Sequence, residues 1–196
     1  MKILHQAKAA CPSVRWSGGT TTELLIWPPE ASYSGRDFLF RLSSASVETE
    51  ESVFTLLPGI VRWITPLSGG FTLTHRSHHS KTLHPYEIDH FCGGWETQCR
   101  GTGMDFNLML RGSSGMLQCI FGETMLAAQG AAALCFYFPQ GGSCRQADTF
   151  YRLNEHELLT FFLSQNETLQ LQINATVVLY AHIDIPNAYH ILLEEL

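Results

Sequence analysis

The side chains of this sequence alternate. Across residues 38–47, 60–67, 104–111 and 177–184, apolar or β-branched residues recur with a period of two, and the 3.6-residue period of an amphipathic helix is scarce. Turn signals cut these runs into short lengths: Pro28-Pro29, Pro58-Gly59, Ser68-Gly69-Gly70, Cys92-Gly93-Gly94 and Gly101-Thr102-Gly103. Many short strands joined by Gly-rich turns predict an all-β sandwich or barrel. Strands are expected at 21–27, 38–47, 60–67, 71–76, 88–91, 96–100 and 104–111, then at 116–121, 131–138, 158–163, 169–173 and 177–184. The tail 186–196 is expected to hold one short helical turn. Both halves close on a long strand, and Arg111-Gly112-Ser113-Ser114-Gly115 lies between them. The expectation is two β units, 1–111 and 112–196, forming one compact body.

Composition narrows the function. The chain has 196 residues, a formal net charge of -6, 45% hydrophobic and only 15% charged residues. Without a Lys/Arg run it lacks the basic surface that releases counterions from phosphates, so nucleic acid is not an expected partner. Residues 1–10 carry no apolar core of a secretion signal, and the apolar run 131–138 is far too short to span a bilayer. A soluble, cytoplasmic protein with no membrane partner is expected. Cys11, Cys92, Cys99, Cys119, Cys135 and Cys144 contain no C-x-x-C pair and read as reduced core thiols.

The most informative segment is Met104-Asp105-Phe106-Asn107-Leu108-Met109-Leu110-Arg111. Alternation puts Asp105, Asn107, Met109 and Arg111 on one face, and Met104, Phe106, Leu108 and Leu110 on the other. Arg41 and Ser43 share a face of a second strand, and Arg62 is isolated in a third, apolar one. A buried guanidinium needs an anion. Glu23 and Asp105 are the internal candidates. If the arginines outnumber the acids, a ligand carboxylate completes the set. The same residues also read as structural ion pairs or as strand ends in water, and the sequence leaves both readings open.

His75, His78, His79, His84 and His90, with Glu87 and Asp89 nearby, form a second constellation. In an extended chain His78 and His79 point to opposite faces, as do His75 and His78, so the spacing argues against a metal centre and no cofactor is expected. Trp16-Ser17-Gly18-Gly19-Thr20-Thr21-Thr22-Glu23 is a Gly turn entering a strand. It either presents Glu23 to a cavity or is an ordinary hairpin. It lacks the lysine and following helix of a phosphate loop. No G-x-S-x-G or Cys beside a base supports nucleophilic catalysis.

Five segments together resemble the HutD/Ves family: Trp16 to Glu23, Phe40-Arg-Leu-Ser-Ser-Ala45, Phe54-Thr-Leu-Leu-Pro-Gly-Ile-Val-Arg62, Leu83-His-Pro through Phe91-Cys-Gly93, and Asp105-Phe-Asn-Leu-Met109. Beyond Arg111 the resemblance is one of length and β pattern. The turn at Trp16-Ser17 departs from a common family pattern, which carries Asn there. The resemblance implies a bicupin fold of two small antiparallel, jelly-roll-like β-barrel lobes packed together. It implies a small-molecule-binding regulator of a small carboxylate or N-formyl amino acid such as N-formyl-glutamate, linked to histidine utilisation or stress response. Arg41, Arg62, Asn107, Asp105 and Glu23 would then be ligand-binding residues. Two other readings stay open: a cupin-type enzyme acting on a small acidic metabolite, metal-free or metal-dependent, and a packed structural or interaction protein. Metal-using cupins carry H-x-H followed by Glu, a run this chain lacks. Apolar edge strands make a homodimer an expectation.

Overall fold

The computed structural model describes residues 1–190 and 192. The chain forms two compact units, one made of Cys11–Gly112 and the other of Met1–Ala10 together with the chain from Ser113 onward. Strand β1 (Lys2–Ala7) comes first. The Cys11–Gly112 unit then supplies β2 (Ser13–Trp16), β3 (Gly19–Trp27), β4 (Phe40–Val47), β5 (Glu51–Val53) and β6 (Val61–Gly69). It continues through β7 (Phe71–His75), β8 (Ser80–Leu83), β9 (Asp89–Cys92), β10 (Thr97–Arg100) and β11 (Gly103–Leu110). The remainder is β12 (Gly115–Gln129), β13 (Ala132–Phe138), β14 (Gly142–Gln146), β15 (Thr149–Leu153), β16 (Glu157–Leu163) and β17 (Thr168–Asp184). Two 3₁₀ turns, Lys8–Ala10 and Asn187–Tyr189, add short helical structure. The expected turn in the tail falls on the second of these; residues 191 and 193–196 lie outside the described residues.

In the Cys11–Gly112 unit a six-stranded sheet runs β2-β3-β4-β11-β6-β9 and a four-stranded sheet runs β5-β10-β7-β8. All their pairings are antiparallel. The central strands β4 and β11 are buried along almost their whole length. Phe40, Leu42, Phe106, Leu108 and Leu110 point to one face and are each at most 1% exposed. A smaller core of Val47, Ile64, Phe71, Leu73, Leu83, Phe91 and Cys99 joins strands of both sheets. The entry to β3 is tight: a Cβ at Gly19, which has a positive φ, would sit 1.8 Å from the Ser46 carbonyl oxygen. Only glycine lets β3 start beside β4 there.

The other unit is a seven-stranded sheet, β1-β16-β13-β17-β14-β15, with β12 also paired to β17. Its core gathers Leu134, Phe136, Phe138, Leu159, Phe161, Leu171 and Ile173 among others. Sequence order places residues 1–10 in the first lobe. The structure instead pairs β1 with β16 from Lys2↔Phe162 to Ala7↔Glu157, so these residues belong to the second unit. The expected strands 169–173 and 177–184 are one continuous strand. The small and polar Asn174-Ala175-Thr176 between them reads as a break, but the pairing with β12 carries through, with a register shift at Phe121/Gly122 where Gly122 has φ 73°. Strands β2, β5, β8 and β15 escape the alternation pattern because they are short and largely exposed, and β14 because it is short and only partly buried.

All six cysteines are free thiols. Burial pushes the thiol pKa of Cys99 up to about 11 and those of Cys135 and Cys144 to about 12. Such thiols are unreactive at neutral pH. Among the described residues no helix is long and apolar enough to cross a membrane.

Candidate functional site

A cavity of about 850 Å³ opens within the Cys11–Gly112 unit. That volume suits a small organic ligand. Its polar floor is the inner face of the six-stranded sheet, where Glu23, Arg41, Ser43, Asp105, Asn107 and Arg62 line it. Residues of β5 and β10, including Ser52, Gln98 and Arg100, line it from the four-stranded sheet, and Trp16 from the Gly18-Gly19 turn stands at its side.

Strand register explains why these residues meet. Directly opposed residues of antiparallel strands project to the same face. Arg41, Met109 and Arg62 form one cross-strand row over β4, β11 and β6. Glu23, Ser43 and Asn107 form the next row. A bulge between Glu23 and Leu25 keeps Glu23 on the cavity side while Leu24 turns into the core. The two arginines thus flank Met109 with one strand spacing on each side, roughly 10 Å apart at the backbone.

The two guanidinium groups differ in how well they are satisfied. Arg41 Nε donates to Glu23 Oε2 at 2.7 Å and Nη1 donates to Ser43 Oγ at 3.0 Å. Its guanidinium also lies over the Tyr33 ring, 4.5 Å from the centroid. Arg62 is 6% exposed; its Nη2 donates to Asn107 Oδ1 at 2.9 Å, and its Nε is buried with no hydrogen-bond partner among the described residues. The Phe54 and Phe91 rings pack against the guanidinium, with centroids 4.6 and 5.2 Å from its carbon. Burial, reinforced by Arg41 and opposed by Tyr33 and Asp105, pushes the Arg62 pKa down to about 10. Arg62 therefore stays a cation at neutral pH in a place that stabilises cations poorly. Asp105 Oδ1 accepts the Ala45 backbone N–H at 3.2 Å.

All five residues singled out in the sequence, Arg41, Arg62, Asn107, Asp105 and Glu23, line this one cavity. Arg111 does not join them. It lies just past the end of β11, is exposed, and its guanidinium donates to the Arg36 carbonyl. Sequence reasoning missed Tyr33 and Phe54, the aromatic supports of the two arginines. Tyr33 sits in the irregular segment between β3 and β4, and Phe54 just follows the three-residue β5, so neither lies in an alternating run. Phe106 and Leu42 fill the core on the opposite face.

The arrangement can hold an anion. Its lining carries three guanidinium groups (Arg41, Arg62, Arg100), three carboxylates (Glu23, Glu51, Asp105) and two amides (Gln98, Asn107), so the arginines match rather than outnumber the acids, and an anion would be held by guanidinium hydrogen bonds rather than by an excess of positive charge. Cys99 also lines it, but a thiol with its pKa near 11 is a poor nucleophile.

The family model for HutD matches residues 8–181, a span reaching well past Arg111 into the second unit. Among solved structures, the chain is similar to a conserved protein of unknown function from Pseudomonas aeruginosa PAO1, at TM-score 0.82 and 22% identity over 94% of this chain and 100% of that one. It is also similar to HutD from Pseudomonas fluorescens SBW25 in a formate condition, at TM-score 0.77 and 21% identity over 93% and 98% of the two chains. A nickel(II) complex of the bacterial pirin YhhW from Escherichia coli matches at TM-score 0.64 and 7% identity over 94% and 100%. At these identities the likeness is one of fold: an all-β cupin fold of two antiparallel units.

Proposed function

Because the chain belongs to the HutD family, we propose that it is a cytoplasmic regulatory protein that binds a small carboxylate, of which an N-formyl amino acid such as N-formyl-glutamate is the leading candidate. The observation that carries this reading is that two buried guanidinium groups, Arg41 and Arg62, line one cavity on either side of Met109. A ligand carboxylate or formyl oxygen between them would accept charge-assisted hydrogen bonds.

In this reading Arg62 and Arg41 clamp the acid. Asn107 orients Arg62 and offers its amide edge to the ligand, Glu23 and Ser43 hold Arg41 in place, and Asp105 balances the local charge. The cavity is larger than formate, which favours a ligand with a side chain or backbone beyond its carboxylate. Binding without turnover fits a role in restraining a histidine-utilisation pathway.

Calorimetry and thermal-shift titration of metal-stripped protein test this with formate, N-formyl-glutamate, glutamate, urocanate and histidine. Saturable stabilisation by N-formyl-glutamate, stronger than by formate, is the expected result. Absence of binding by every acid in the set would overturn the reading.

A further inference from the structure

We infer that His75, His79 and Asp89 form a binding site for a divalent transition metal of zinc-like chemistry, separate from the carboxylate cavity. Strand alternation argues against this site, but alternation does not hold across a tight turn. β7 ends at His75, and Ser77, with φ 64°, reverses the chain. His75 N donates to the His79 carbonyl at 2.8 Å and His78 N donates to the His75 carbonyl at 3.0 Å. His75 and His79 thereby become the closing pair of a hairpin, with their rings 4.5 Å apart. Asp89, from β9 of the other sheet of this unit, meets them.

The donor geometry suits one ion. The three ligand atoms all lie within 4.8 Å of one another. His75 Nε2 lies 2.9 Å from Asp89 Oδ2, and His79 Nε2 lies 3.2 Å from Asp89 Oδ1. Ligands of a tetrahedral zinc with bonds of about 2 Å stand about 3.3 Å apart, so small side-chain movements would bring all three into range. Neither His75 nor Asp89 lines the carboxylate cavity.

The surroundings of His75 give a second, independent observation. Its Nδ1 lies 2.8 Å from Thr97 Oγ1, and the Thr97 hydroxyl donates to the Trp95 carbonyl at 3.2 Å. In the tautomer whose Nδ1–H donates to Thr97 Oγ1, the Nε2 lone pair faces the Asp89 carboxylate 2.9 Å away; in the other, Nε2–H donates to that carboxylate. A metal ion between Nε2 and the Asp89 carboxylate suits the first tautomer with His75 neutral. The Thr97 contact is the outer hydrogen bond that fixes the tautomer of a metal-bound histidine.

Accessibility completes the picture. The His75 side chain is fully buried, whereas that of His79 is 40% exposed. Three protein ligands with one accessible side leave a fourth coordination position open to solvent or substrate. Phe91 and Trp95 pack against the His75 ring. The neighbouring His78 stacks on Trp95 with 3.7 Å between centroids and is occupied there.

The test is titration of the metal-stripped full chain with zinc by calorimetry, and with cobalt(II) by visible absorption, in the wild type, His79→Ala and Asp89→Asn. A His84→Ala variant, an exposed histidine outside the cluster, is the control. One ion per chain, binding weakened tenfold or more in His79→Ala and Asp89→Asn but not in His84→Ala, and tetrahedral cobalt bands lost with them, are expected. Since His79 is on the surface, its removal leaves the fold intact, checked by unchanged melting without metal. No binding by the wild type, or wild-type affinity in His79→Ala, would overturn the inference. Titration of N-formyl-glutamate into His79→Ala reads the carboxylate cavity independently.

Discussion

Arg62 Nη2 donates to Asn107 Oδ1 at 2.9 Å across neighbouring strands, while Arg62 Nε, also buried, has no hydrogen-bond partner among the described residues. A guanidinium held in place by Asn107 is oriented before any ligand arrives. Pre-organisation of this kind lowers the ordering cost of binding.

Arg62→Met separates binding from folding. It replaces a desolvated cation by an apolar chain of similar length, and Asp105 keeps the Ala45 N–H as a donor. Asn107 Oδ1 loses its donor, so a modest loss of stability of about 1–3 kcal/mol is expected, while acid affinity falls by at least about tenfold, equivalent to one charge-assisted hydrogen bond of about 1.5–3 kcal/mol. Calorimetric titration beside a melting curve checks both. A collapse of the fold would identify Arg62 as a structural ion-pair member instead.

The pH dependence of acid binding has a definite sign. Only the protonated Arg62 attracts a carboxylate, so affinity is flat around neutrality and declines as pH rises through about 10. Fold stability moves the other way in the alkaline range. The folded pKa lies below the ordinary arginine value, so the native state sheds its proton first and gains relative stability as pH rises between the two. Titrations and melts across that range, compared with Arg62→Met, isolate both effects.

Gly19→Ala is expected to destabilise the protein by about 1–3 kcal/mol, because the new Cβ would overlap the Ser46 carbonyl. The same change displaces the start of β3 and with it Glu23, so acid affinity should fall as well. Urea denaturation gives the first number and titration the second.

Glu157 ties the ends of the second unit together. Its carboxylate accepts from the Asn154 backbone and side chain at 3.0 and 2.9 Å, and pairs with His5 Nε2 at 2.8 Å. Burial alone would raise its pKa, but the Asn154 and His5 contacts outweigh burial and hold it below the ordinary value. Its contribution is therefore complete above the ordinary glutamate range and is lost as pH falls through the lowered folded value. Glu157→Gln should cost about 2 kcal/mol at neutral pH, with the difference from wild type vanishing in acid. Urea melts at several pH values test this.

The legible part of the molecule was its long alternating strands. β4 and β11 each show a cavity face and a core face, so Arg41, Asp105 and Asn107 could be placed together from spacing alone. Arg62 was legible as a lone charge in an apolar strand, and Glu23 through the turn before it. Tyr33 and Phe54 were not, since a side chain outside a periodic run carries no directional information. The His75–His79 pairing was hidden for a related reason: alternation orders residues within a strand, and a tight turn brings together two residues that alternation does not relate. The placement of β1 was invisible because a six-residue strand does not name its partner, which here lies some hundred and fifty residues away.

That pairing sets an order of events at the ribosome. The Cys11–Gly112 segment carries all the strands of its own two sheets and can close as soon as it has emerged. β1 leaves the tunnel before any of them, yet its partner β16 is made near the end of synthesis. β1 therefore waits for a partner made after every strand of the Cys11–Gly112 unit. Until then its backbone donors and acceptors are open to other chains, and the alternate exposure of Lys2, Leu4 and Gln6 against Ile3 and His5 gives that waiting edge a mixed rather than a uniformly apolar face.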